Sequence, residues 1–407
     1  MLHKGFSALA FSIYVRCRRN RIRWTQATSV LTCLFATHTV NFAAEADAQR
    51  TIADWSLNRI IRIGAIDGPD ALDVVGSLVV DPRSGAAFFV ERSQRISVHD
   101  STGTRVRRFA RSGDGPGEFR NLQSLYWHGN TLVAIDGNGT NRVTRFTGSG
   151  DVLEVRNISA AAPVDGGSWL TRLGGPLGSD AFVSYNARDV IEGDGMRTEA
   201  RLVRIGSDGR ATVIDELANR NVWFRLKDGT TMLPIPNMPR SEYAIHPYGE
   251  SVAIVHQYPP SSEGVGRFRV RKVSADGSVV FARSYEYQPR QLPSDYVDRF
   301  VEDRRAALSR FGYTVSEAAG ILSDRIPRTE VPVSEVVVAA DGSIWLRREP
   351  LDGERARWWV LDRRGDLVAQ LTLPSSLQVK YVNSESVWGI EFDELGVNYV
   401  TRFRIVK

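Results

Sequence analysis

Apolar positions in this chain fall in short runs closed by Gly, Asn, Asp or Pro, and the runs come in fours. Residues 74–80 are apolar, 81–85 turn, and 86–90 are apolar again; 95–99 and 105–110 follow. Runs of this length between turn residues predict a four-stranded antiparallel meander. The rhythm returns at 122–127, 131–135, 142–146 and 152–155, and again at 169–173, 181–185, 200–205 and 211–214. A fourth unit occupies 243–246, 251–257, 267–273 and 278–285, and a fifth 335–338, 343–347, 357–361 and 367–373. One such unit leaves both faces of its sheet apolar, so it requires neighbours stacked on each side.

The turn between third and fourth strands is the internal signature. It reads Asp100-Ser101-Thr102-Gly103, Gly148-Ser149-Gly150, Gly206-Ser207-Asp208-Gly209, Ser274-Ala275-Asp276-Gly277 and Asp362-Arg363-Arg364-Gly365. Glycine supplies the positive φ that a tight hairpin needs, and Asp or Ser bonds the turn amides. After the fifth unit only three strands remain, at 377–382, 386–391 and 398–405, while 57–63 has no earlier partner. An N-terminal strand completing the last sheet removes the open edges of the ring. The predicted fold is therefore all-β: a six-bladed β-propeller of four-stranded antiparallel blades, closed by its N-terminal strand. A helical insertion at 293–325, before blade 5, breaks the pattern. There Tyr296, Val297, Phe300, Val301, Leu308 and Phe311 recur at spacings of three and four. Ser294 is the expected N-cap, and a second short helix is expected at 316–322. The insertion is either a packing clip on the blades or a lid over one mouth of the central channel.

Composition changes one inference. The chain has 407 residues and a formal charge of +5, but six of its 52 basic and two of its 47 acidic residues lie in 1–48. The remainder, 46 basic against 45 acidic, gives no electrostatic case for nucleic acid as a partner. Residues 1–48 read as an export leader: arginines up to Arg23, an apolar stretch at 27–40, and small-x-small sites at Ala44-Glu45-Ala46 and Ala46-Asp47-Ala48. The apolar stretch is too short for a membrane span. The long basic lead-in suggests a start downstream of Met1, near Val15. Both cysteines, Cys17 and Cys33, fall in the leader, so the expected mature chain (49–407, one propeller domain, a monomer, periplasmic or extracellular) has neither disulfides nor thiolate sites.

Residues 113–150 resemble the NHL repeat through Gly115-Pro116-Gly117-Glu118-Phe119, Leu132-Val133-Ala134-Ile135-Asp136 and Asn141-Arg142-Val143. The first blade matches in part through Phe89-Val90-Glu91 and Gln94-Arg95-Ile96. Overall the chain resembles the secreted bacterial six-bladed NHL-like proteins, most without assigned function. Val387-Trp388-Gly389, Asp393-Glu394-Leu395-Gly396 and Tyr399-Val400 are similar to that group's closing blade. The resemblance implies a propeller that binds ligand, protein or RNA, or a lyase; more distant six-bladed relatives include calcium-dependent hydrolases.

The residues favour binding over catalysis. Zinc would need histidines converging from several blades, but His99 and His128 lie at turns and are expected to face solvent. His246 and His256 flank one hairpin of blade 4, where they could approach each other. Among the inner strands only Glu335 is acidic, a poor basis for a calcium cage. No cofactor is predicted; calcium or zinc belongs to the alternative reading, a metal-dependent hydrolase or lyase working in the channel. The second strands end at Glu91, Asp136, Tyr185, His256, Arg347 and Glu391, near one rim. Asp136 with Arg142 is read as bracing a turn. The candidate ligand-binding residues on that rim are Arg92, Arg120, Asp136, Arg142, His256 and Arg347, facing a protein, peptide or small-molecule ligand. Trp169, Trp345, Trp358, Trp359 and Trp388 are read as blade packing.

Overall fold

The computed structural model describes residues 52–137, 141–158, 170–192, 195–218, 222–225, 227, 232–260, 264–348 and 355–407. The leader, its cleavage sites and Trp169 lie outside the described residues.

Six antiparallel sheets form the ring, each a meander running from the channel outward. Blade 1 comprises Val75–Val80, Ala87–Glu91, Arg95–His99 and Arg105–Phe109. Blade 2 comprises Leu122–His128, Thr131–Asp136, Arg142–Phe146 and Val152–Asn157. Blade 3 follows with Leu170–Leu177, Ala181–Glu192, Gly195–Ile205 and Ala211–Leu217. Blade 4 holds Glu242–Ile245, Ser251–Gln257, Gly266–Ser274 and Val279–Tyr287. Blade 5 holds Glu335–Val338, Ile344–Arg348, Arg355–Leu361 and Leu367–Pro374. In blade 6, Gln378–Val382, Ser386–Phe392 and Asn398–Val406 are completed by Ser56–Ile63 as the outermost strand. The innermost strands touch in order, and the sixth meets the first. The ring is closed as the sequence predicts. The chain also gives blade 5 a short parallel fifth strand, Ala53–Asp54.

The signature turns share one geometry. Gly103, Gly150, Gly209, Gly277 and Gly365 all take φ between 75° and 94°. Each of these hairpins also carries a register shift in the last residues of its third strand. The extra residue bends the outer strand and increases the local twist. Middle strands are buried on both faces because each blade is sandwiched between two others. Trp127, Trp345, Trp358 and Trp388 are all at most 1 % exposed, as blade-to-blade packing demands. Trp359 is half-buried beneath the guanidinium of Arg348, 4.7 Å from its ring centre.

Blade 3 departs from the others. Its second strand does not end at Tyr185 as expected but continues to Glu192, paired throughout with the third. That carries the hairpin about 20 Å past the rim at the usual strand rise. Val222–Arg225 and Met232–Pro234 extend this overhanging sheet. Asn186-Ala187-Arg188-Asp189-Val190 has no clean alternation of apolar and polar residues and gives no clear sign of a long strand.

The insertion forms three helices: α1 (Tyr296–Glu302), α2 (Arg305–Arg310) and α3 (Val315–Ser323). Ser294 is not the cap of α1; Asp295 holds that position, without a side-chain cap bond. The one complete cap is on α3, where Thr314 and Glu317 exchange bonds in a capping box. Val301, Leu308 and Leu322 pack with Leu233, Ile235 and Met238 of the blade 3–4 connection.

Candidate functional site: a covered channel

The rim positions are occupied by contacts within and between blades. Glu91 accepts from Ser97 Oγ and from Arg108 Nε, the latter at 3.0 Å. Asp136 is fully buried and accepts from the amides of Arg120 (3.2 Å) and Asn121 (2.7 Å) and from Arg142 Nη2 (2.9 Å). Arg142 also donates to the carbonyls of Asp114 and Glu118, drawing the Gly-rich loop onto the blade. Arg120 is exposed and forms a bidentate pair with Asp114. Glu391 accepts from Thr401 Oγ1 at 2.8 Å. Arg347 lies 3.5 Å from Glu335 across the first hairpin of blade 5 and donates to the Ser375 carbonyl. Arg92 is exposed, its amide bonded to Val74. Arg120, Asp136 and Arg142 thus come together around one loop, whereas Arg92, His256 and Arg347 stand on three other blades.

His256 has a more suggestive setting. Its Nε2 lies 3.1 Å from Asp215 Oδ2 and its Nδ1 3.2 Å from Ser241 Oγ, the connectivity of a hydrolytic triad. The environment argues against nucleophilic use. Ser241 is 1 % exposed and its hydroxyl accepts the Ala218 amide at 3.1 Å. Arg271 shares the Asp215 oxygen at 2.8 Å. A nucleophile must present its oxygen to substrate; this set instead joins blades 3 and 4.

Two expectations about histidines are corrected. His99 does not face solvent: it is 2 % exposed and meets Phe89 edge-on at 5.0 Å, because both faces of blade 1 are covered. Burial, with help from Arg105, lowers its pKa to about 4. His246 and His256 do not approach. His246 lies at the hairpin turn, and His256 is paired near the other end of Ser251–Gln257, about 17 Å along the strand. His128 is half-buried.

The chemistry-bearing space is the channel, a cavity of about 1070 Å³ bordered by all six innermost strands. Ser77, Gln123, Arg172, Tyr243, Glu335 and Lys380 are its polar wall, one from each blade in turn. The overhang of blade 3 closes over it: Arg188, Asp189, Met196, Thr198 and Trp223 border the same cavity. Thr198 Oγ1 donates to Asp189 Oδ1 at 2.8 Å, and Arg188 pairs with Glu199 at 2.7 Å, fixing the overhang's polar face. Tyr185 and Tyr243 stack with centres 6.2 Å apart and planes at 14°. Tyr126 donates to the Gly174 carbonyl at 2.9 Å. Arg240 borders this cavity and a second one of about 290 Å³ beneath Phe300 and Arg304.

No residue of α1–α3 borders the channel cavity. The helices brace the overhang from behind. Lys227 Nζ reaches Glu317 at 3.1 Å and lies 4.6 Å over the Tyr313 ring, and Asn237 binds the carbonyls of Pro327 and Thr329. The cover is therefore the blade 3 hairpin, and the insertion is its support. Of these channel residues, sequence reading singled out only Glu335 and Tyr185. The charged residues Arg172 and Lys380 inside short inner strands were the signal for the rest.

No family model matches the chain, and no curated protein matches it. Among solved structures it is similar to a DUF4221 family member from Bacteroides vulgatus, with 11% identity, 87% of this chain and 99% of that chain covered, and a TM-score of 0.46. A Bacteroides fragilis protein whose name proposes that it is exported shows 13% identity over 88% and 97%, with a TM-score of 0.43. The Cps50 (Swd1) β-propeller domain from Myceliophteria thermophila shows 11% identity over 86% and 99%, with a TM-score of 0.39.

Proposed function

We propose that this protein is an exported NHL-like propeller that binds a small anionic ligand, such as a carboxylate with an apolar or aromatic body, in its covered channel. The observation that carries this reading is the lining of the 1070 Å³ cavity: Arg172, Arg188, Arg240 and Lys380 against Asp189 and Glu335, with Tyr185, Tyr243 and Trp223 for the body of the ligand. The volume suits a small molecule or short peptide. The overhang borders one mouth, and partial shielding from solvent there strengthens charge recognition inside. Glu335 is engaged by Arg347, and Asp189 by Thr198. Arg172 is exposed to the cavity and its guanidinium has no protein partner among the described residues.

Calorimetric titration of the purified protein with benzoate, terephthalate and benzylamine tests this. The carboxylates should bind, and Arg172→Ala should weaken them about tenfold or more, as expected for a charged hydrogen bond. Binding of benzylamine as tight as benzoate would refute the anion reading. One equivalent of calcium or zinc held through dialysis would favour the hydrolase or lyase alternative. Among the described residues, however, no three His, Cys, Asp or Glu side chains gather as a metal set.

A further inference from the structure

The chain contains 52 basic residues, of which only Lys4, Lys227, Lys272, Lys380 and Lys407 are lysines. Among the described residues, three of the lysines have evident structural tasks. Lys227 pairs with Glu317, Lys272 donates to the Gly342 carbonyl at 2.6 Å, and Lys407 lies over the Trp55 ring at 5.0 Å. Lys380 differs. It stands on the innermost strand of blade 6, half-buried in the channel wall, and among the described residues its ammonium makes no hydrogen bond or salt bridge. An arginine there would bind an anion equally well, but only lysine can lose its proton and act as a nucleophile.

We infer that Lys380 captures a carbonyl-bearing ligand in the channel as an imine, with Arg172 holding the ligand's carboxylate from blade 3 on the opposite side of the ring. The inference rests on the anion-binding reading above and names its substrate class: an aldehyde or ketone carrying a carboxylate. The neutral amine adds its lone pair to the carbonyl carbon, giving a carbinolamine. Loss of water then leaves the C=N bond, with the carbonyl oxygen and both amine protons departing as that water. No oxidant or reductant is needed, and the step reverses by hydrolysis. Burial favours the neutral amine, against the opposing influence of Glu335 on the adjoining blade.

The probe is 4-carboxybenzaldehyde, whose aldehyde and carboxylate point in opposite directions, incubated with the purified full chain and sodium cyanoborohydride. Peptide mapping should place the main adduct on Lys380, formed about tenfold faster than on Lys227 and Lys407, as expected for an amine whose burial favours the neutral form and which faces a probe held by its carboxylate. Lys380→Arg, checked for an unchanged thermal melt, should lose the adduct. Should that variant fail to fold, competition decides: excess benzoate should suppress labelling of Lys380 while leaving Lys227 and Lys407 unaffected. Labelling spread evenly over the lysines, with benzoate still bound, would overturn the imine and leave the anion site standing. Loss of both labelling and benzoate binding would overturn the two together.

Discussion

Asp136 and Arg142 face each other across the second and third strands of blade 2, Oδ2 to Nη2 at 2.9 Å, with the carboxylate fully buried. Because two backbone amides of the incoming loop bond the same carboxylate, this pair fixes where the 113–121 connection sits. Truncating one partner leaves a buried charge and orphaned amides. Asp136→Ala should therefore cost about 3–5 kcal/mol, read as a fall in urea midpoint at unchanged slope. A loss below about 1 kcal/mol would mean that the loop is held by other contacts.

His99 makes stability depend on pH. Its folded pKa of about 4 lies below the unfolded value of 6.5. The unfolded chain therefore binds more protons between the two values, and stability falls as pH drops through that window. The loss is absent above pH 6.5 and reaches about 3 kcal/mol by pH 4. Denaturation at steps between pH 7 and 4 should show this slope on top of the carboxylate background. His99→Gln should remove that part of the slope. Parallel curves for the two proteins would place His99 outside the linkage.

The ring was legible in the sequence because its signals are local. Strand length, the Gly turn and the period of four repeat five times, so a single misread strand cannot shift the blade count. Ser56–Ile63 was found by counting: three terminal strands needed a fourth. The site was not local. Arg172 and Lys380 are more than two hundred positions apart, and only ring closure brings blades 3 and 6 to opposite walls of one channel. The overhang is hard to read because Asn186-Ala187-Arg188-Asp189-Val190 mixes buried, half-buried and exposed positions without the strict alternation that marks a half-buried strand. His99 was misjudged for the reverse reason. A turn follows it, but neighbouring blades cover both faces of its strand.

Asn237 ties the blade 3–4 connection to the return of the insertion. Its Oδ1 accepts the Val331 amide at 3.1 Å, and its Nδ2 donates to Pro327 and Thr329. Its φ of 56° is one that glycine also adopts. Asn237→Gly therefore keeps the backbone and removes only the three bonds, an expected loss of about 1–3 kcal/mol. Because the insertion props the overhang, proteolysis within 293–325 should accelerate and ligand affinity should fall together. Faster proteolysis with unchanged affinity would separate the helices from the channel cover.

The closing strand can be tested at the turn it leans on. Gly103 and Gly277 occupy equivalent turns in blades 1 and 4 with the same φ of 91°. A Cβ on Gly277 meets nothing within 4 Å, whereas on Gly103 it would lie 2.6 Å from Ile61 Cγ2 of the closing strand. Gly277→Ala thus reports backbone strain alone, about 1–2 kcal/mol. Gly103→Ala carries the same strain and must also move Ile61, adding about 1–3 kcal/mol of overpacking. The excess measures how firmly the N-terminal strand holds blade 6 against blade 1. Ile61→Ala in the Gly103→Ala background should recover part of it, since the methyl that blocks the turn is gone. Equal destabilisation by the two glycine substitutions would show that the closing strand yields freely, and the ring would then depend for its closure on the inner strands alone.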